Sequence, residues 1–183
     1  MVTMTEPIDE TILLERARAG DQEAFAELLH PYRDRTWSVC IRVTGNQADA
    51  EDALQNALIA AWRNLSKFQG RSKFGTWLYR IAMNAANSLV RSRRETSVDM
   101  SGWEHLAKEV NDIDRVPEQD ALRQAIDSLA PEFREALVLR EIGQLSYAEI
   151  AEHSGVGIQT VKSRISRARR RAAEFLDDAG ATG

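Results

Sequence analysis

Near the C-terminus the stretch GVGIQTVKSRISRARRR, 155–171, holds six Lys or Arg residues and no acid, in a chain whose formal net charge is -4. Val161, Ile165 and Ala168 recur there at helical spacing and are candidates to seat a helix on its neighbour. Gln159, Lys162, Ser163, Ser166 and Arg167 then project the other way. Such side chains suit one kind of chemistry. Amide, hydroxyl and ammonium groups reach base edges in a major groove, small serines allow close approach, and the later arginines lie along phosphates. Six phosphate contacts of this sort make affinity fall by roughly a thousand-fold between 50 and 200 mM salt.

A second cationic segment lies upstream. Between Ala53 and Arg94 there is no Asp or Glu, while Arg63, Lys67, Arg71, Lys73, Arg80, Arg91, Arg93 and Arg94 are all basic. All 28 acids therefore fall outside this window and the acid-free run from Ser154 to Ala173. A single basic run is as readily a solvated helix face as a binding site. Two of them in an acidic chain point instead to nucleic acid held at two places.

Other chemistries find no support in the sequence. Cys40 is the single cysteine, which excludes an internal disulfide and suits a reducing cytoplasm. Placed on an inward apolar stripe, it reads as core rather than as a redox sensor. Three scattered histidines provide no zinc spacing, and no phosphate-binding, dinucleotide or hydrolase motif is present, so neither a cofactor nor an enzyme is expected. The acidic start MVTMTEPIDE is unlike a signal peptide, and no apolar run approaches a membrane span, so no membrane insertion is expected.

The segments that must position these side chains read as helices almost throughout. At 183 residues, with 43% hydrophobic and 28% charged residues, the chain has room for one ordinary domain or two small ordered ones. Ile12, Leu13 and Ala17 line a first helix that stops at Gly20, and Asp21 caps the next. Pro31 is placed to kink or restart the helix carrying Val39, Cys40 and Val43. From Asp49 to Leu65 one face buries Ala50, Ala53, Leu54, Ala57, Leu58 and Ala61. A basic loop around Ser66 to Ser72 precedes a helix from about Phe74 to Arg94, with Trp77, Leu78, Ile81, Ala82, Ala85 and Leu89 inward. Residues 8–95 thus form one helical bundle.

Residues 96–117 break the pattern: periodicity fades, acids outnumber bases, and an extended linker is expected, with a short helix around Trp103 to Val110. A second helical domain over 118–177 opens with the stripe Leu122, Ala125, Ile126 and Leu129. Pro131 begins the next helix, and Ser146 with Glu149 forms a capping box for the one after. A short capped helix, the Gly155 turn and the basic last helix, about Ile158 to Arg171, make a helix-turn-helix.

Four segments, GDQEAFAELLHPYRDRTW, DAEDALQNALIAAWRN, FQGRSKFGTWLYRIAMNAANSLVRSRR and LAPEFREALVLREIGQLSYAEIAEHSGVGIQTVKSRISRARRR, together resemble the extracytoplasmic-function (ECF) sigma factors of bacteria. The likeness spans about 12–94 and 118–176 and keeps the motifs in order. It implies an all-α protein of two small domains, sigma region 2 and sigma region 4, joined by the acidic linker. It implies a non-enzymatic, cytoplasmic promoter-specificity subunit that takes part in stress responses. Core RNA polymerase, promoter DNA and an anti-sigma factor are its implied partners.

Residue by residue, the resemblance assigns the −35 element to Gln159, Thr160, Lys162, Ser163, Arg164, Ser166, Arg167 and Arg170. It assigns reading and melting of the −10 element to Lys67, Phe68, Arg71, Lys73, Arg80, Asn84, Asn87 and Arg91. Extruding a base costs a few kcal/mol and needs a pocket or a stacking surface to hold it. Phe74, Trp77 and Tyr79 are further stacking candidates, although Trp77 sits on the inward stripe. The polymerase contact falls to Asp49, Asp52, Gln55, Asn56 and Ile59, with Asn56 standing where relatives usually carry an acid. The acidic linker is implied to run toward the RNA exit path. Two other readings stay open on the residues alone: an activator that binds DNA unaided, and a helical adaptor whose bases only solubilise it.

Overall fold

The computed structural model describes residues 9–99 and 117–180, with side chains described over 9–95 and 121–178. Most of the linker and its expected helix around Trp103 to Val110 lie outside the described residues. The described chain is all helix and connecting turns: α1 Glu10–Arg18, α2 Gln22–Leu29, α3 Arg33–Thr44, α4 Gln47–Asn64, α5 Phe74–Asp99, α6 Pro117–Asp127, α7 Pro131–Glu141, α8 Tyr147–Ser154 and α9 Ile158–Gly180. Helices α5 and α9 run past the expected ends at Arg94 and Arg171. No Gly or Pro follows either position within the helix until Gly180, and the Ala, Glu and Leu after Arg171 are strong helix formers.

Caps set the helix starts. Asp21 accepts from the Ala24 N–H at 3.0 Å, Asn46 from Asp49 N–H at 2.9 Å, and Asp9 from Thr11 N–H at 3.0 Å. Ser146 and Glu149 exchange both bonds of the capping box. Each such side chain satisfies a backbone donor that the helix itself leaves unpaired. Pro31 sits in a 3-10 turn, His30–Tyr32, from which α3 restarts.

In the N-terminal bundle α4 is seated by Ala50, Ala53, Ala57 and Ala61, all at 0% exposure, whose small side chains let α3 and α5 approach closely. Leu13, Ala17, Phe25, Leu28, Leu65, Phe74 and Leu78 form a second cluster under α1 and α2. Ile12 departs from its expected inward place and is 51% exposed, because Leu13 and Ala17, with half-buried Leu14, are the residues that turn α1 toward the bundle. Leu122 is likewise 40% exposed; Ala125, Ile126 and Leu129 seat α6 without it. In the C-terminal bundle α7 and α8 pack on α9 through Ala136, Leu139, Ile150, Val161 and Ile165.

The two bundles share one core. Val39, Cys40, Val43, Tyr79 and Met83 are continuous with Ala136, Leu139, Leu145 and Ile150 in a single apolar cluster. Helix α3 packs on α6 and α7, and α5 packs on α7. Polar contacts cross the same boundary. The Arg134 guanidinium donates to the Val43 carbonyl at 3.2 Å and to the Ile126 carbonyl at 3.1 Å, tying the ends of α3 and α6 together. Gly45 ends α3 at φ 77, a left-handed conformation that glycine adopts at least cost. A Cβ there would stand 3.3 Å from the Asp127 carboxylate, so the neighbouring bundle also leaves little room for a side chain.

His153 lies in this boundary, with its side chain 8% exposed and Nε2 3.9 Å from Glu135. Burial holds its pKa below the ordinary 6.5, Glu135 opposes that shift and Arg80 reinforces it. The folded chain therefore binds fewer protons here than the unfolded chain once the pH drops below about 6.5. The neutral imidazole is stably accommodated above that pH, and stability is lost as pH falls beneath it. Melting temperatures recorded from about pH 7.5 down to about pH 5.5 should decline more steeply for the wild type than for His153→Gln. Parallel curves would overturn this assignment.

Candidate nucleic-acid interface

The cationic C-terminal face is built on α9. Val161, Ile165 and Ala168 are buried at 0%, 2% and 0%, turning the opposite side outward. Gln159, Thr160, Lys162, Ser163, Ser166, Arg167 and Arg170 are exposed, and Arg164 is half-buried. The helix starts at Ile158, three residues after the left-handed Gly155, φ 65, which ends α8 and turns the chain between the two helices. Gln159, Thr160, Ser163, Arg164 and Arg167 line an open groove of about 470 Å³ together with Glu132 and Phe133 of α7. Lys162 lies 5.7 Å from the Tyr147 ring, and Arg170 makes an exposed pair with Glu174 at 3.6 Å. Neither contact buries the charge. The arrangement is a rigid helix offering hydrogen-bond donors at its N-terminal end and guanidinium groups farther along.

The second cationic surface runs along α5 and the loop before it. Arg80, Asn84, Asn87 and Arg91 follow one another at spacings that keep them on one stripe of the helix. Asn84 and Arg91 are exposed. Asn84 and Ser88 meet Asn56, Ala60, Ile81, Ala85 and Leu89 in a groove of about 480 Å³ between α4 and α5. Arg80 and Asn87, by contrast, are turned toward the C-terminal bundle. Arg80 donates to the Glu149 carbonyl and to the Glu152 carboxylate, both at 2.7 Å, and Asn87 donates to Glu135 at 3.0 Å.

Phe68 requires a correction. It is 6% exposed and packs with Phe74 and Trp77 at ring separations of 5.9 and 5.1 Å, so it anchors the loop and offers no face to a base. The Arg18 guanidinium donates to its carbonyl, which pins the loop at this residue. Phe74 and Tyr79, at 1% and 3% exposure, are core as well, and Trp77 is half-buried among them. Lys67, Arg71 and Lys73 remain exposed around this aromatic anchor. A hydrophobic loop residue beside basic ones gave no sign in sequence of which way it would point.

On α4 the exposed residues Asp52, Gln55, Asn56 and Ile59 are spaced to share one face, opposite the buried alanines. Ile59 is 42% exposed, an uncovered apolar group in a polar setting. Asp49 is committed elsewhere: it accepts from Arg93 at 2.8 Å and from the Asn46 side chain at 2.7 Å. Cys40 is fully buried, and burial pushes its thiol up to about 12, leaving it protonated and unreactive.

Two cationic surfaces on separate helical bundles, one of them a helix-turn-helix, coincide with two family profiles. Sigma-70 region 2 matches residues 28–96, and Sigma-70 region 4 matches 119–171. The chain is 37% identical over 179 residues to the ECF RNA polymerase sigma-E factor of Escherichia coli K12, covering 91% of this chain and 93% of that one. It belongs to the ECF sigma factors. The ECF RNA polymerase sigma factor SigW of Bacillus subtilis is 34% identical, over 90% of this chain and 95% of its own. Among solved structures, the sigma factor RpoE of Bartonella quintana, in complex with the anti-sigma factor NepR, superposes with a TM-score of 0.70 at 30% identity, covering 84% of this chain and 96% of that one. As an ECF sigma factor, the protein is a promoter-specificity subunit of RNA polymerase whose regions 2 and 4 bind promoter elements. No helix among the described residues is long and apolar enough to cross a membrane.

Proposed function

We propose a division of labour among the surfaces of this ECF sigma factor. The exposed face of α9, from Gln159 to Arg170, reads the −35 duplex, its first residues on base edges and its later arginines on phosphates. Lys67, Arg71 and Lys73 of the loop, with Arg80, Asn84, Asn87 and Arg91 of α5, hold the opened −10 strand. Phe68 supports this surface from beneath. Asp52, Gln55, Asn56 and Ile59 of α4 grip the core polymerase, which supplies all of the catalysis. The sites of action are cytoplasmic. An anti-sigma factor is a further partner, by analogy with the Bartonella quintana relative.

The observation that carries this reading is the outward, exposed cationic face of α9 on a helix-turn-helix, paired with a second basic surface in an acidic protein. Run-off transcription with purified core polymerase, with and without this chain, tests it. Promoter-specific transcripts that require both components support it. Tight duplex binding by the chain alone, with no polymerase dependence, would favour an unaided activator, and neither result would leave an adaptor.

The α4 assignment has its own test. Replacing Ile59 with Asp puts a charge into the polymerase contact and is expected to weaken association by about ten- to a hundred-fold. Ile59 is already 42% exposed, so the melting temperature should be nearly unchanged. Fluorescence anisotropy with labelled chain and core polymerase measures the first, and thermal denaturation the second. Wild-type affinity in the variant would remove Ile59 from the contact.

A further inference from the structure

Glu132 brings a negative charge into a groove otherwise lined by Gln159, Thr160, Ser163, Arg164, Arg167 and Phe133. The two guanidinium groups only donate, and the amide and hydroxyl groups both donate and accept. The Glu132 carboxylate only accepts. Its place is fixed from both sides. Pro131 begins α7, so Glu132 lies in the first turn of that helix. Phe133 packs against Leu129, Leu137 and Ala168, and the Arg171 guanidinium stands 4.9 Å from its ring centroid, which ties this turn to α9. Arg134 donates to the Ile126 carbonyl at 3.1 Å and to the Leu129 carbonyl at 3.3 Å, which ties the same turn to the end of α6. Glu132 is therefore held, exposed, at the margin of the α9 face. Acids farther along that helix are engaged by arginines: Glu141 accepts from Arg169 at 3.1 Å, and Glu174 pairs with Arg170 at 3.6 Å.

A carboxylate beside DNA is repelled by phosphates and by the acceptor edges of guanine and thymine. In the major groove only the exocyclic amines of cytosine and adenine donate to it. Adenine carries the acceptor N7 next to its amine, so cytosine suits a carboxylate better. We propose that Glu132 is a specificity-determining residue, whose carboxylate accepts from one such base amine, cytosine N4 first, at the edge of the −35 element. This role rests on the assignment of α9 to the −35 duplex. The acid acts in two directions, bonding to the right base and penalising a wrong one, while Arg164 and Arg167 beside it offset its repulsion of the backbone. Arginine and lysine donors alone would favour guanine and hold any phosphate, so the acceptor widens what this face can tell apart.

The test presents the holoenzyme, core polymerase with the full chain, with duplexes randomised across the −35 region, and counts the bound sequences for wild type and Glu132→Ala. The wild type should favour an amine-bearing base at one position on the edge of the element. The variant should lose that preference by about ten-fold and keep the preferences at other positions. Glu132 also stands at the positive end of α7, so its removal costs some stability, which thermal denaturation reads separately. A smaller folded fraction lowers binding to every sequence alike and leaves the base profile intact. Identical profiles in wild type and variant overturn the role of Glu132 and leave the −35 assignment of α9 standing. A uniform gain in affinity for all sequences also overturns it, because the acid would then repel phosphates without reading a base. A wild-type profile with no preference anywhere in the region overturns the −35 assignment itself, and the role of Glu132 with it.

Discussion

Replacing Phe74 with alanine is expected to destabilise the protein by about 3–5 kcal/mol, a large part of the roughly 5–15 kcal/mol that holds a domain of this size together. The side chain is 1% exposed at the first turn of α5. Its ring meets Tyr32 at 5.5 Å, Phe68 at 5.9 Å and Trp77 at 5.7 Å, joining α5 to the start of α3 and to the basic loop. Truncation leaves a cavity that three rigid aromatic rings cannot readily fill, because their planes are fixed by one another and by Leu28, Leu65 and Leu78 around them. The loss should appear in two measurements. Chemical denaturation should report the stability change, and protease digestion should cut the loop near Lys67 and Lys73 sooner. A midpoint within experimental error of the wild type would mean that the aromatic cluster is not what anchors this loop.

The second large effect belongs to α9. Lys162→Ala combined with Arg167→Ala removes two exposed cations from the helix face without altering Val161, Ile165 or Ala168, which seat it. Folding should be unaffected, since neither side chain is buried. Promoter affinity of the polymerase complex should fall by about 2–6 kcal/mol if both residues read bases, taking about 1–3 kcal/mol for each. If both instead contact phosphates, binding weakens more evenly across sequences, and the slope of log affinity against log salt drops by about two. Affinity titrations at several salt concentrations, on a promoter and on a scrambled duplex, separate the cases. An unchanged promoter affinity and an unchanged slope would remove α9 from the −35 contact.

The legibility of this protein in its sequence was uneven for physical reasons. Caps were readable because Asp21 and Ser146 act on backbone donors a few residues away. Face directions in the middle of long helices were readable because Val161, Ile165 and Ala168, or Ala50, Ala53 and Ala57, repeat at the helical period. Periodicity said less at element ends, where Ile12 and Leu122 satisfy the spacing but are left exposed by their neighbours among the described residues. In the basic loop it said nothing at all. Phe68 lies outside any repeat, and its burial is decided by Phe74, Trp77 and Arg18 from other parts of the chain. Asp49 was assigned to a partner face, but it is engaged by Arg93, 44 residues away in sequence.

By itself, the sequence determined the helical class, the two acid-free windows, the helix-turn-helix and the family likeness, since each rests on local spacing or on residue type. Only the tertiary structure decided that the two bundles share one core, that Phe68 is structural, and that Arg80 and Asn87 are held by Glu135, Glu149 and Glu152. Those outcomes depend on which surfaces meet across the linker. A contact such as Arg80 with Glu152, 72 residues apart, leaves no local pattern, because nothing in either helix changes its period to accommodate the other.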